Sequence, residues 1–98
     1  MVKLAFLVRL NAKQGRGEEL AKLLESAVAL ANAESGTVHW FALRFGPASY
    51  GVFDTFANEK GRQAHLEGAI ANALKSQGPA LLSEPPSIER VDILGAKT

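Results

Sequence analysis

A chain of 98 residues, 47% hydrophobic and 21% charged, has room for one compact domain (1–98) with a small core, and oligomerisation is a common way for so short a chain to bury more surface. Eleven Lys and Arg against ten Asp and Glu give a net charge of +1 with no basic cluster, so the electrostatic footprint of a nucleic-acid binder is missing. The lack of cysteine removes disulfides, thiolate metal sites and cysteine nucleophiles together and fits a reducing, cytoplasmic setting.

The first run, MVKLAFLVRLNAK, is apolar over too short a span for a signal peptide or a membrane segment and reads as a strand. From Val2 to Leu10 the even residues, Val2, Leu4, Phe6, Val8 and Leu10, form a core face. The odd face (Lys3, Ala5, Leu7, Arg9) is apolar enough to be covered as well, and Arg9 is either an edge charge or a partner for an acidic residue of another subunit. A polar turn from Asn11 to Gly17 leads into a helix over Glu18–Ala33. Leu20, Leu23, Leu24, Ala27, Val28 and Ala31 recur there at helical spacing, Glu18 and Glu19 favour the positive helix start, and Gly36 ends the segment. Thr37–Phe45 is a second strand, with His39, Phe41, Leu43 and Phe45 on one face and Val38, Trp40, Ala42 and Arg44 on the other. Gly46–Ser49 is a hairpin-like turn into a third, antiparallel strand, Tyr50–Phe56. Asn58 caps a helix that runs to Leu66, bends near Gly68, continues over Ala69–Lys75 and stops at Gln77-Gly78-Pro79. Glu84-Pro85-Pro86 is a rigid turn, and Ser87–Leu94 is the last strand.

The order β-α-β-β-α-β is the α+β, ferredoxin-like arrangement: a four-stranded antiparallel sheet with helices on one face. The helices leave the other face uncovered, and that face is still apolar. A second copy packing sheet against sheet is the simplest cover, so a homodimer forming a closed or nearly closed α+β barrel is expected. No membrane and no nucleic acid is expected as a partner.

Chemistry is concentrated between Tyr50 and Gly68. Asp54 lies in a strand otherwise built from Tyr50, Val52, Phe53 and Phe56, and a carboxylate there is expensive to bury unless paired. His65 on the next helix can be that partner. His65 is then either a base, with an ordinary pKa near neutrality, or a histidine that ties helix to sheet. Asp54 either orients His65 and fixes its tautomer or pairs structurally with it or with a backbone amide. Trp40 and Arg44 share a face: an indole walls an aromatic ligand well and a guanidinium stabilises an anion, yet both also suit a dimer interface. Tyr50, Phe53 and Phe56 line a pocket or pack the core. His39 sits on an apolar strand face, where a satisfied core or interface role is the commoner one. The two histidines and Asp54 lack the spacing of a metal set, so no metal is expected.

Three segments carry a resemblance. Glu34-Ser35-Gly36, the stretch from Val52 through His65, and Leu82-Ser83-Glu84-Pro85 resemble, in order and spacing, segments of the antibiotic biosynthesis monooxygenase family of the dimeric α+β barrel superfamily; the likeness covers nearly the whole chain. In that family the first is a Glu-Pro-Gly step, the second a strand with an acidic residue followed by a helix bearing His, and the third a turn into the last strand. The resemblance implies oxygenation of electron-rich aromatic compounds, such as quinols and anthrones, by O₂ without metal or flavin. His65 and Asp54 would be catalytic, and Trp40, Tyr50, Phe53, Phe56, His39 and Arg44 would bind substrate. Two departures stand out. The acidic residue of the third strand is usually Glu in the family and is the shorter Asp54 here. The Asn and Trp of heme-degrading members fall on Val8 and His65, which argues against heme degradation. A small-molecule binding or regulatory module without turnover is the alternative, and a purely structural dimer is a third.

Overall fold

The computed structural model describes residues 2–97. Eight elements follow in order: β1 (Leu4–Asn11), α1 (Gly17–Ser26), α2 (Val28–Asn32), β2 (Thr37–Gly46), β3 (Ser49–Phe56), α3 (Glu59–Leu66), α4 (Ala69–Leu81) and β4 (Ser87–Asp92). The strands form one sheet in the order β2-β3-β1-β4, antiparallel at every pairing. This is the expected β-α-β-β-α-β arrangement, with each helical segment divided in two.

β1 is an interior strand, hydrogen-bonded to β3 on one side and β4 on the other. Arg9 is therefore no edge charge: it stands mid-sheet, on the face away from the helices, with its guanidinium 5.2 Å from the Phe45 ring centroid. On the helix-facing side Phe6, Val8, Leu10, Val52 and Phe56 are buried and pack with Leu20 and Leu24 of α1. Each such side chain contributes about 1.5–3 kcal/mol through its removal from water. Phe6 and Phe56 meet edge to face, with centroids 5.5 Å apart.

The expected single helix over Glu18–Ala33 is broken at Ala27. The Ala27 N–H is shared between the carbonyls of Leu23 (3.1 Å) and Leu24 (3.2 Å), while the Ser26 hydroxyl donates to Leu23 O at 2.7 Å. That local competition tightens the turn. The bend turns Ala27, at the break itself, and Ala31 of the second segment onto Ile70 and Trp40. The second helix pair differs the other way. α4 does not stop at Gln77-Gly78-Pro79 but continues to Leu81 with Pro79 inside it. The residues after β1 supply the reason: Lys13 Nζ donates to Pro79 O (2.7 Å), the Lys13 N–H donates to Leu81 O (2.8 Å), and Leu81 and Leu82 are buried. A tertiary contact thus satisfies the terminal carbonyls and overrides the local stop signal. β4 ends at Asp92, where its pairing with Leu4 runs out, so Leu94 lies beyond the sheet and is 98% exposed.

The face away from the helices carries Leu7, Leu43 and Phe53 together with Phe41 and Phe45, each of the latter 52% exposed. Among the described residues no helix is long and apolar enough to cross a membrane.

Candidate functional site

Asp54 lies in the middle of β3, cross-strand from Phe6 of β1 and Trp40 of β2, and has no exposed surface. α3 starts at Asn58, whose Oδ1 accepts the Gly61 N–H at 2.9 Å, and its last turn carries His65 over the sheet. The same helix is tied down by Arg62, whose guanidinium reaches Ala5 O (3.4 Å) and lies over Phe6. Glu59 bridges Arg62 and Arg90, and hydrogen bonds from Arg90 and then Arg62 hold its carboxyl below the usual range. The His65 ring settles 5.3 Å from Phe56 and 6.5 Å from Phe6, with Nε2 2.9 Å from Asp54 Oδ2.

The other ring nitrogen is also taken. His65 Nδ1 lies 2.6 Å from Glu34 Oε1, which also accepts the Thr37 hydroxyl at 2.7 Å. Glu34 sits in the tight connection from α2 to β2, with its N–H on Ala31 O (3.0 Å) and its carbonyl accepting the Thr37 N–H (3.3 Å). Two glycines set how closely that connection approaches α3. A Cβ on Gly36 would fall 2.7 Å from Gly61 Cα, and one on Gly61 would fall 2.8 Å from Gly36 O. Backbone meets backbone there with no room for a side chain, and the approach brings Glu34 within reach of the imidazole.

A neutral imidazole has one N–H, so only the imidazolium can face both carboxylates as a donor. Burial opposes that charge and is the largest single influence. Hydrogen bonding and charge from Asp54 and Glu34 together outweigh it, so the His65 pKa is raised above the ordinary 6.5. The Asp54 contact is close but poorly aligned: neither of its oxygens receives a directed hydrogen bond. Glu34 Oε2 and Trp40 Nε1 are likewise buried without a partner.

A cavity of about 370 Å³ opens between α3, α4 and the sheet, walled by Phe6, Val8, Ile70, Leu74 and Ile88, with His65 on its wall. On another side of the same residue is a pocket of about 360 Å³, lined by Glu34, Gly36, Gly61 and Gly68. The imidazole thus borders both an apolar cavity and a pocket that contains Glu34. Among the described residues no group of three or more His, Asp or Glu is disposed to hold a metal ion; in the Glu34–His65–Asp54 set the ring stands between the carboxylates instead of joining them around a common point.

The structure brings His65, Asp54, Phe56 and Trp40 together and leaves the other sequence candidates elsewhere. Tyr50 is on the same sheet face but beneath the Arg44 guanidinium (5.3 Å), with its hydroxyl donating to Pro47 O at 3.3 Å. Arg44 pairs with Glu18 at 3.3 Å, both exposed. Phe53 and His39 are on the opposite face. His39 Nδ1 lies 2.8 Å from Thr55 Oγ1, and its ring stacks on Phe41. Strand alternation explains the parting, since Phe53 points away from the side that Asp54 faces, as does His39 relative to Trp40. Sequence reasoning missed Glu34 as a site residue, although the Glu-x-Gly step after the helix was the available signal. It also missed the cavity walls on α4, Ile70 and Leu74, which read as ordinary core spacing.

No protein-family model matches the chain, and no curated protein matches it. Among solved structures, a protein of unknown function from Nitrosomonas europaea is 60% identical, with a TM-score of 0.98 over 100% of this chain and 95% of that one. A second Nitrosomonas europaea protein, named as a candidate antibiotic biosynthesis monooxygenase, is 16% identical with a TM-score of 0.83, covering 94% of this chain and 90% of its own. A protein of the same name from Caulobacter crescentus is 16% identical with a TM-score of 0.81, covering 96% and 92%. At such identities the last two share the fold.

Proposed function

Because the chain belongs to the same family as the Nitrosomonas europaea protein of unknown function and has the fold of proteins named as antibiotic biosynthesis monooxygenases, we propose that it binds a flat aromatic molecule beside His65 and oxygenates it with O₂, using neither metal nor flavin. The observation that carries this reading is the imidazole between two carboxylates on the wall of an apolar cavity.

In its neutral form His65 takes a proton from an anthrone-type CH₂ or a phenolic OH, and the imidazolium that forms is held between the ionised Glu34 and Asp54. The resulting anion gives one electron to O₂, and the two radicals combine to a peroxide. In the anthrone case, loss of the second C–H proton breaks the O–O bond, leaving one oxygen atom as the new carbonyl and the other as water. The cavity excludes water and holds ring and oxygen together. Oxygen uptake with a dithranol-type or quinol-type substrate is expected from the wild type and lost in His65→Ala. Equal rates in both proteins would remove His65 from the reaction.

A specific observation favours a second reading, a ligand-binding module without turnover. Both imidazole nitrogens already face carboxylates, so no free ring lone pair is left for the cavity. Trp40, the chain's single tryptophan, lies cross-strand from Asp54 and can report ligand entry by fluorescence. A fluorescence change without oxygen uptake would select this reading.

The homodimer belongs to the same proposal. The half-exposed Phe41 and Phe45, with Leu7, Leu43 and Phe53 beside them, support sheet-to-sheet pairing of two copies.

A further inference from the structure

The charge lining the cavity is one-sided. Besides His65, Lys75 is the one ionisable side chain on its wall; no carboxylate lines it. Lys75 gets there by helix geometry, because Ala71 and Lys75, like Ile70 and Leu74, are i,i+4 neighbours on the face of α4 that borders the cavity. Lys75 has no ion-pair partner among the described residues. It also stands at a junction. Leu74, Lys75 and Pro86 are shared with a second hollow of about 430 Å³ that runs toward Lys13 and Glu84. Both signs of charge line that second hollow: Glu84, which accepts from the Asn11 amide (2.8 Å), and Lys13, which is already committed to Pro79 O (2.7 Å).

From this placement we infer that the cavity is built for an aromatic anion: a flat ring system among Ile70, Leu74 and Ile88, carrying a carboxylate-type substituent that pairs with Lys75 at the junction. The inference rests on the reading that the cavity takes an aromatic molecule and adds which one. A volume of about 370 Å³ with apolar walls and very few polar groups is of the kind that takes a small organic ligand. The carboxylate pairs with Lys75 and stays clear of the Asp54 and Glu34 pair at the His65 end. Lys75 is a specificity-determining residue in this account and takes no part in proton transfer.

Calorimetric titration of the full chain with 2-naphthoate and with 2-naphthol, matched in ring system, tests it. An exposed ion pair supports an advantage of about fivefold for the naphthoate in the wild type. That advantage should fall with added salt, vanish in Lys75→Met and invert in Lys75→Glu, while naphthol binding stays the same in all three proteins. Lys75 is exposed, so neither substitution disturbs the core. Equal affinities for the two probes in the wild type, or an advantage that survives Lys75→Glu, would overturn the anion assignment and leave the aromatic cavity standing. Failure of both probes to bind would overturn the ligand-binding reading itself, and this inference with it.

Discussion

His65 holds its proton against burial because two carboxylates flank it, and this makes stability depend on pH in a definite direction. Its folded pKa is raised above the unfolded value of about 6.5. The stabilisation from the imidazolium is therefore fully present below about 6.5 and is lost as pH rises through the raised folded value. Urea unfolding across that window should show wild-type stability declining and His65→Gln lacking this component; parallel pH profiles would contradict the assignment. The two carboxylates differ in depth, Asp54 having no exposed side-chain surface and Glu34 being 19% exposed. Removing one partner of a buried pair costs about 3–5 kcal/mol, and because histidine can shed its proton, Asp54→Asn should fall at the lower end, about 3 kcal/mol. In NMR titrations the His65 pKa should drop in both Asp54→Asn and Glu34→Gln, and further in the first. The Asp54–His65 partnership was legible in the chain because a carboxylate in an apolar strand demands a nearby counter-group. Glu34 was not, because its contact with His65 spans 31 residues and depends on how closely two glycines pass.

At the scale of elements, the site is an assembly of three pieces: the centre of β3, the last turn of α3, and the connection from α2 to β2. The Gly36–Gly61 crossing fixes the third piece against the second. Gly36→Ala places a methyl group against backbone that cannot swing aside, with an expected loss of about 1–3 kcal/mol. It also withdraws Glu34, so the His65 pKa should fall as it does in Glu34→Gln. A Gly36→Ala protein with unchanged stability and an unchanged His65 titration would show that the crossing does not position Glu34. The helices teach a related lesson. Helical periodicity over residues 18–33 was readable, but the break at Ala27 follows from a hydroxyl that competes for one carbonyl. The extension of α4 past Pro79 follows from Lys13, a residue 66 positions away.

The whole molecule presents one covered and one bare sheet face. Phe41 and Phe45 are each 52% exposed on the bare one, beside Leu7, Leu43 and Phe53, an apolar face of the kind that marks an interaction surface. Sedimentation should give twice the chain mass for the wild type and a single chain for Phe41→Glu/Phe45→Glu. Persistence of the larger species in the double variant would place the contact elsewhere. The site lies on the opposite face, so the separated chain should keep the His65 titration. If it loses it, the partner copy supports the site through the sheet.

Element order, strand faces and the presence of a buried carboxylate needing a partner were determined by the sequence alone, because alternation, helical spacing and the cost of burying a charge are read over a few neighbouring residues. The tertiary structure alone decided that His65 sits between two carboxylates and not beside one, that Tyr50, Arg44, Phe53 and His39 lie away from it, and that Lys75 stands at the junction of two hollows. Those outcomes depend on ångström-scale distances between segments far apart in the chain, which no local pattern records.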